Sequence, residues 1–533
     1  MRQIGVLAAA LSAAHVAAGA ASHLMPPESR PLVSLCLITL LSMVAAAAFK
    51  VPLRRMIAAL VAATVLSLFA IFCWRRLVDP MATLGQIPPS MEPMALAILG
   101  VISVALASVV AVAFLAGGRM FRFRWLVFGA IGAALLTFCV MVSQRLSEAD
   151  SPQHLLQRVV LLEQSADPNG WAERQELSTV LSFLGRQREA RVIPSNPDAV
   201  GHELADVPDP PTSDPPFVVT PWRDAMTRIA AEQRLVLIME DHAISEHRAW
   251  IEQTMALFRA ARFTHYFAET IAETGSTLKA RGYPTSTTGF YTLDPRFGNL
   301  VRTAIRLDFE IGGYDLGDPD FDRREAFQAA TLAERFAARP DSRMVVHAGH
   351  GHVFKHEVRN VGRYMAARLW EQTGVEPFTI WQLSNELPND VYRALIRQIG
   401  PIDKPVLLIP PPQHVSEALF PESSVQPAVD AVVVHPPRLG REPTDRRGAF
   451  TDHLTRVPGV WRGQRWPVVI AAIPDGEPDH AIALDQILLR DGETEFELWL
   501  PHTDCVIRVW SLDGPVRVDA NIQSMPVRVE IGH

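Results

Sequence analysis

The chain is poor in cysteine, with four in 533 residues. Three of them, Cys36, Cys73 and Cys139, lie in long apolar runs, which leaves Cys505 alone in the more polar remainder. A single cysteine cannot form an internal disulfide, so the sequence argues against a disulfide-stabilised scaffold and against chemistry that needs paired cysteines.

Acidic residues are scarce in the first 142 positions, where Glu28, Asp79 and Glu92 stand against ten Lys and Arg residues. That stretch carries +7, and since the whole chain carries −7, the remainder carries −14. Binding to nucleic-acid phosphates needs clustered Lys and Arg, so the negative remainder argues against a nucleic acid as partner.

Long apolar runs are frequent near the start, and hydrophobic residues make up 48% of the chain. A helix needs about 17 to 25 such residues to cross a bilayer. The sequence therefore predicts about five transmembrane helices within residues 1–143, the first of which, about 4–22, also resembles a signal peptide. Ionisable residues are missing from the middle of these runs, which favours a membrane anchor over a transporter.

The Lys and Arg residues of the short loops predict the orientation of these helices. Seven lie on one side of the predicted membrane and four on the other, and the richer side is expected to be cytoplasmic. The resulting expectation is a multi-pass protein of the inner, cytoplasmic membrane, with an extracytoplasmic or periplasmic domain after the last span.

Composition divides the rest of the chain into four segments. Residues 144–193 have helical periodicity and are predicted to be a helical spacer. Residues 194–216 are rich in proline and are predicted to be a linker. Residues 217–450 alternate apolar strands with helices, which predicts an α/β domain, and residues 451–533 are predicted to form a small β-rich appendage.

The predicted fold of the α/β domain is an open, mostly parallel sheet. The apolar runs "LVLIME", "HYFAE", "FEIGGY" and "MVVHA" are typical of strands that are buried on both faces. Each run is followed by polar residues, and ligands of open α/β sheets bind at the carboxyl ends of the strands. The chemistry of the domain is therefore expected in those polar residues.

Carboxylates and imidazoles follow three of these strands. Glu240 and His242 come after the first, Glu269 after the second, and His350 and His352 after the last. Residues two apart in an extended segment share a side, so both side chains of a pair are expected in one crevice. This set of residues suits either a divalent metal ion or activation of water by a general base.

Neighbouring residues have simpler interpretations. His347 lies inside the strand and is predicted to be a hydrogen-bonded core residue, while His247 and Arg248 are expected to form a solvated first turn of a helix. Arg324 is predicted either to bind an anionic group or to be an exposed helical residue.

The same residues resemble a known superfamily that contains erythromycin esterases, ChaN-like haem-uptake proteins and TraB/Tiki metalloprotease-like proteins. The pattern consists of Glu-x-His at Glu240 and His242, Glu269, and Gly-x-x-His at Gly349 and His352. The stretches "EDHAISEHR", "RGYP", "GFYTLDPRFGNLVR" and "HAGHGH" are similar to an uncharacterised secreted bacterial branch. The resemblance covers about residues 225–385.

The resemblance implies a hydrolase that cleaves esters or peptides. It implies His242 as the base, Glu240 and Glu269 as orienting or metal-binding carboxylates, and His352 as a ligand or stabiliser of the transition state. Residues expected to bind the small-molecule or peptide substrate are Arg324, Tyr283 and Tyr291.

Two alternatives follow from the same superfamily. One is a non-catalytic protein that binds haem or a divalent metal through Glu240, His242, Glu269, His350 and His352. The other is a degenerate sensory or interaction domain, which the bulky Met239 before Glu240 favours.

Overall fold

The chain divides into two compact units, Met1–Arg145 and Leu146–His533. A computed structural model describes the second unit from residue 152 onwards, except for residues 166–169, 192, 194–216, 316, 319, 340, 350, 359–360, 384–388, 412–428, 437–453, 517–520, 523–528 and 532–533. The predicted transmembrane helices and the proline-rich linker lie outside these described residues.

Helices and strands alternate through the first part of the unit. The helices are α1 (Pro152–Ser165), α2 (Trp171–Phe183), α3 (Gln187–Arg191), α4 (Trp222–Glu232), α5 (Ser245–Ala260), α6 (Gly275–Arg281), α7 (Pro295–Arg306), α8 (Phe321–Ala337), α9 (Met365–Thr373) and α10 (Asn389–Ile399). The strands of this part are β1 (Val218–Pro221), β2 (Leu235–Met239), β3 (His265–Ala268), β4 (Glu310–Gly312), β5 (Met344–Ala348), β6 (Phe378–Leu383), β7 (Val406–Ile409) and β8 (Ala431–Val434).

The second part consists of strands joined by turns. These are β9 (Thr455–Trp461), β10 (Val468–Pro474), β11 (Asp485–Leu489), β12 (Glu495–Leu500), β13 (Cys505–Ser511), β14 (Gly514–Val516), β15 (Asn521–Ile522) and β16 (Val529–Ile531). They form two sheets in the order β11-β10-β13-β14, with β15 also on β13, and β12-β9-β16.

The large sheet has the order β1-β7-β8-β6-β2-β5-β3-β4. The run from β8 to β4 is parallel, whereas β7 and β1 join it in antiparallel pairing. Helices α4, α5 and α7 cover one face and α8, α9 and α10 cover the other. The central strands are therefore buried on both faces, which explains why their sequences are continuous apolar runs.

The middle of the sheet contains a topological switch point between β2 and β5. The chain leaves β2 through α5, on one face, towards β3, and leaves β5 through α9, on the other face, towards β6. Met239 pairs with Ala348, and Ala268 pairs with His347, so the carboxyl ends of β2, β5 and β3 lie side by side. A crevice between diverging connections of this kind is where open α/β sheets bind ligands.

The C-terminal strands and the first helices pack together and hold the loop before α7. Residues of α1 and α2 share a buried cluster with Val469, Ile482 and Leu488. The backbone of the 282–293 loop bonds to this region, since Ser286 donates to the carbonyl of His480 and Ile482 donates to that of Pro284. The C-terminal region thereby supports a loop that reaches the crevice.

The structure corrects the predicted fold class. None of the described helices is long and apolar enough to cross a membrane, which stands against the prediction of a multi-pass inner-membrane protein with an extracytoplasmic domain. The predicted spans themselves fall in residues 1–143, outside the described part of the chain. The architecture is mixed α/β with several sheets, and the large sheet is mixed because β7 pairs antiparallel with both β8 and β1. The strands of the C-terminal β region build two further sheets.

Candidate active site

Glu240 lies at the centre of a buried polar cluster directly after β2. Its Oε1 is 2.8 Å from Nδ1 of His242, and its Oε2 is 2.7 Å from Nε2 of His347. Arg248 donates to both carboxylate oxygens at 2.8 Å. Burial alone would raise the pKa of Glu240, but the guanidinium and the two imidazoles outweigh it and hold that pKa well below its usual range. Glu240 is therefore a carboxylate with every acceptor position occupied.

Arg248 connects Glu240 to the loop before α7. Its Nη1 donates to Asp294 at 2.6 Å, and its Nη2 donates to the backbone carbonyl of His242 at 3.0 Å. Asp294 also caps α7 by accepting from the backbone of Arg296. The side chain of Arg248 is 0% exposed, which corrects the expectation of a solvated first turn of α5. A buried cation between two carboxylates fixes the position of both.

Nδ1 of His242 faces Glu240, and Nε2 lies beside Gly349. Because the ionised Glu240 only accepts, a neutral ring carries its proton on Nδ1 and its lone pair on Nε2. Nε2 lies 2.7 Å from where a Cβ on Gly349 would stand. The ring of Tyr291 stacks on the imidazole at 3.7 Å between centroids. A glycine at position 349 is what leaves room beside this nitrogen.

Glu269 follows β3 and lies opposite His242. One oxygen accepts from the backbone nitrogen of Gly349 at 2.8 Å, and the other accepts from Arg324 at 2.5 Å. Arg324 also bonds Asp315 through two nitrogens. Burial raises the pKa of Glu269, but the charges of His352, His242 and Arg324 outweigh it and lower that pKa. The carboxylate is thus ionised and held from two sides.

His352 completes the far side of the crevice. Its Nδ1 lies 2.8 Å from Glu325 of α8, and its Nε2 lies 3.7 Å from Glu269. Burial lowers the pKa of His352, but the two carboxylates outweigh it and raise that pKa above its ordinary value. Glu325 is itself held by the backbone nitrogen of Met365 at 2.6 Å. His352 is therefore a positively charged group next to Glu269.

The structure brings together most of the residues that the sequence pointed to. Glu240, His242, Glu269 and His352 lie together after β2, β3 and β5, with Tyr291 stacked on His242 and Arg324 bound to Glu269. Tyr283 does not, because its ring packs against the C-terminal cluster that includes Ala481 and Trp510. His350 lies outside the described residues. The roles assigned to all of these residues stay predictions.

Three residues of the cluster were missed by the sequence reasoning: Arg248, Asp294 and Glu325. For Asp294 there was a local signal, since an Asp followed by Pro295 is typical of the start of a helix. For Arg248 and Glu325 there was none, since both are charged residues within helices whose buried faces only the packing reveals.

The carboxylates of the cluster already bind protein donors, and the predicted metal or haem iron stays a prediction. Within the described residues there is no group of three or more His, Cys, Asp or Glu side chains arranged to hold a metal ion. The oxygens of Glu240 are occupied by Arg248 and two imidazoles, and those of Glu269 by Arg324 and a backbone amide. A guanidinium on each carboxylate also repels a further cation.

Comparisons with known proteins add little to this picture. No protein-family model matches the chain, and no curated protein is detectably similar to it. Among solved structures, the type III effector HopBA1 is similar at 14% identity over 42% of this chain and 98% of that chain, with a TM-score of 0.27. A TM-score this low does not establish a common fold, and the superfamily resemblance stays a prediction.

Proposed function

We propose that this chain is a hydrolase in which His242 activates water to cleave an ester or a peptide bond. The observation that carries the proposal is the 2.8 Å contact between Glu240 and Nδ1 of His242 at the switch point of the sheet, which makes Nε2 the proton-accepting nitrogen of the neutral ring. A carboxylate that orients an imidazole is the arrangement of a general base, because it sets the tautomer and stabilises the imidazolium once formed.

The reaction proceeds in two steps. Nε2 of His242 takes a proton from water as the water oxygen attacks the carbonyl carbon, and the π electrons move onto the carbonyl oxygen. When the tetrahedral intermediate collapses, the bond to the alkoxide or amine leaving group breaks, and that group takes the proton from His242. The products are a carboxylic acid and an alcohol or amine.

The cationic side chains supply positive charge for the developing oxyanion. His352 is the better placed of them, since its pKa is raised by Glu269 and Glu325 and its Nε2 lies 3.7 Å from Glu269. Groups that are already oriented in a water-poor site stabilise such a charge without further reorganisation. Arg324, whose side chain is 31% exposed, lies at the border where a substrate enters.

The test uses the full chain and a panel of aryl esters, lactones and peptide anilides. The parent is expected to hydrolyse at least one class, and His242→Gln is expected to lose about 10²- to 10⁴-fold in kcat, the typical contribution of a general base. His356→Gln is the matched control, because His356 is a partly exposed histidine that contacts Trp370 on α9. Hydrolysis that survives His242→Gln, or a parent that is inactive on the whole panel, would contradict the proposal.

A further inference from the structure

The ring of Tyr291 lies flat against the imidazole of His242. The two ring centroids are 3.7 Å apart, and the two planes differ by 12°. Glu240 contacts the same imidazole at its edge, through Nδ1 at 2.8 Å. One contact at the edge leaves the imidazole able to tilt about it, because the torsion next to an aromatic ring has a broad energy well. The phenol ring against its face removes that freedom.

This restraint does not depend on the charge of His242. A neutral imidazole packs on an aromatic face by offset stacking, and an imidazolium is attracted to the same face by the negative end of its quadrupole. A general base passes through both forms in each turnover, since it first takes a proton and then returns it. The stack therefore restrains His242 throughout the reaction.

The backbone of Tyr291 is tied to the segment that follows β3. Its nitrogen donates to Oγ1 of Thr270 at 2.8 Å. Two residues earlier, Gly289 lies against the carbonyl of Thr270, where a Cβ would overlap the carbonyl oxygen. Glycine is the residue that permits so close an approach. Because Thr270 directly follows Glu269, the loop that carries Tyr291 is anchored next to a carboxylate of the candidate site.

The other end of this loop is held by the C-terminal strands. Gln486 of β11 is 2% exposed, and its side-chain nitrogen donates to the carbonyls of Leu293 at 3.2 Å and Phe183 at 3.1 Å. The ring of Phe183, from α2, contacts Phe290 at 5.6 Å between centroids. Phe290 in turn meets the ring of Tyr291 edge to face at 5.4 Å. The C-terminal strands and α2 thereby support the stacked ring.

We propose that Tyr291 is a positioning residue for the hydrolysis proposed above. Its ring keeps the imidazole of His242 in the plane that places Nε2 beside Gly349, and the C-terminal β sheets keep the ring in place. The inference rests on the proposed function and assigns Tyr291 a role other than substrate binding. It also gives the C-terminal region a part in catalysis, through the position of one ring.

Three variants separate the ring of Tyr291 from its hydroxyl and from the stability of the fold. Tyr291→Phe keeps the stacked ring and removes the hydroxyl, whereas Tyr291→Leu removes the ring and keeps an apolar side chain. Phe309→Leu is the control, because Phe309 is 0% exposed and precedes β4 at the amino end of the sheet, opposite the crevice. This control loses a buried ring, and with it stability, without touching the site.

The first measurement needs no substrate. With ¹³C-labelled histidine in the full chain, NMR reports the ring protons of His242, whose signals are identified by their absence in His242→Gln. Protons over the face of an aromatic ring resonate upfield, so the parent and Tyr291→Phe are expected to share upfield signals. Tyr291→Leu is expected to move these signals downfield, and Phe309→Leu is expected to leave them unchanged.

The second measurement is turnover on the panel of esters, lactones and anilides. Tyr291→Leu is expected to lower kcat by about 10- to 100-fold with KM little changed, because a displaced base loses rate and not ground-state affinity. Tyr291→Phe and Phe309→Leu are expected to keep kcat near that of the parent. Equal losses in Tyr291→Phe and Tyr291→Leu, or no loss in either, would overturn the inference.

A second pair of variants covers the case that Tyr291→Leu folds poorly. Thr270→Val removes the hydroxyl that accepts from the nitrogen of Tyr291, and Thr270→Ser keeps a hydroxyl there. Thr270→Val is expected to shift the signals of His242 and to lower kcat, and Thr270→Ser is expected to restore both. Identical spectra and kcat in these two variants would then overturn the inference.

Failure of this inference is distinguishable from failure of the proposed function. If the signals of His242 move in Tyr291→Leu but the parent hydrolyses nothing on the panel, the proposed function is contradicted and the stacked arrangement stands. If turnover depends on His242 but Tyr291→Leu matches the parent in both spectra and kcat, this inference alone is overturned.

Discussion

Arg248 and Glu240 form a two-point ion pair in which both contacts measure 2.8 Å and neither side chain is more than 2% exposed. The pair joins helix α5 to the end of strand β2. Because Arg248 also binds Asp294, one buried cation compensates two buried carboxylates, and the order of the site depends on it.

Arg248→Met is expected to destabilise the fold strongly. Removing one partner of a buried ion pair leaves uncompensated charge, which typically costs about 3–5 kcal/mol in the free energy of unfolding. Urea unfolding measures the loss. Arg323→Met is the control, since Arg323 is 65% exposed in its pair with Asp318 and its loss is expected to change stability by less than about 0.5 kcal/mol. Equal effects in the two variants would show that the Arg248 pair is not buried as described.

The stabilising effect of His352 is expected to depend on pH. Its pKa is raised in the folded state, so its contribution is fully present below the unfolded pKa of about 6.5 and is lost as pH rises through the folded pKa. His352→Gln should therefore cost more stability at about pH 5.5 than at about pH 8.5, with the carboxylate partners ionised at both. Thermal or urea unfolding of parent and variant at the two pH values measures this. A larger cost at the higher pH would contradict the assigned ion pairs.

Gly349→Ala is expected to remove turnover while leaving most of the stability. The added Cβ would stand 2.7 Å from Nε2 of His242 and 2.9 Å from Glu269, so both side chains must shift away from their positions. Misplacement of a base by about 1 Å can cost about 10²-fold in rate. Gly476→Ala gives the opposite pattern, because it meets no atom within 4 Å but has a φ of +83°, and so costs stability without touching the site. Full activity in Gly349→Ala would show that His242 does not act from this position.

Removal of metal ions is expected to leave hydrolysis unchanged. The oxygens of Glu240 and Glu269 accept from Arg248, Arg324 and other donors, and these guanidinium charges disfavour a divalent cation on them. Elemental analysis of the purified chain and assays before and after chelation measure this. Activity that is lost with a chelator and restored by one divalent ion would overturn the assignment and favour the metal-dependent alternative.

The local sequence was sufficient to predict the strands that carry the site. The apolar runs at Leu235–Met239 and Met344–Ala348 are strands at those positions. The parallel core of the sheet follows from the alternation of such runs with amphipathic helices, because a strand buried on both faces has no polar side. The antiparallel pairing of β1 with β7 was not predicted, because the direction of pairing depends on a partner strand that is distant in sequence.

The local sequence also indicated which residues belong to the candidate site. Glu240, His242, Glu269 and His352 were candidates because each follows a predicted strand, and the carboxyl ends of parallel strands meet at one edge. The role of each residue depends on tertiary contacts, which the sequence pattern does not reveal. His347 shows this, since a hydrogen-bonded strand residue was expected and the partner proved to be Glu240.

The sequence by itself determined which strands are buried and which polar residues stand at their ends, because both follow from the periodicity of short segments. Only the tertiary structure decided that β5 lies between β2 and β3, and that Arg248, Asp294 and Glu325 reach the same crevice from three separate segments. The physical reason is that a charged side chain within a helix is indistinguishable, in sequence, from a solvated one. Its burial also depends on partners distant in sequence, such as Asp294, 46 positions from Arg248, and these are brought into contact by the fold alone.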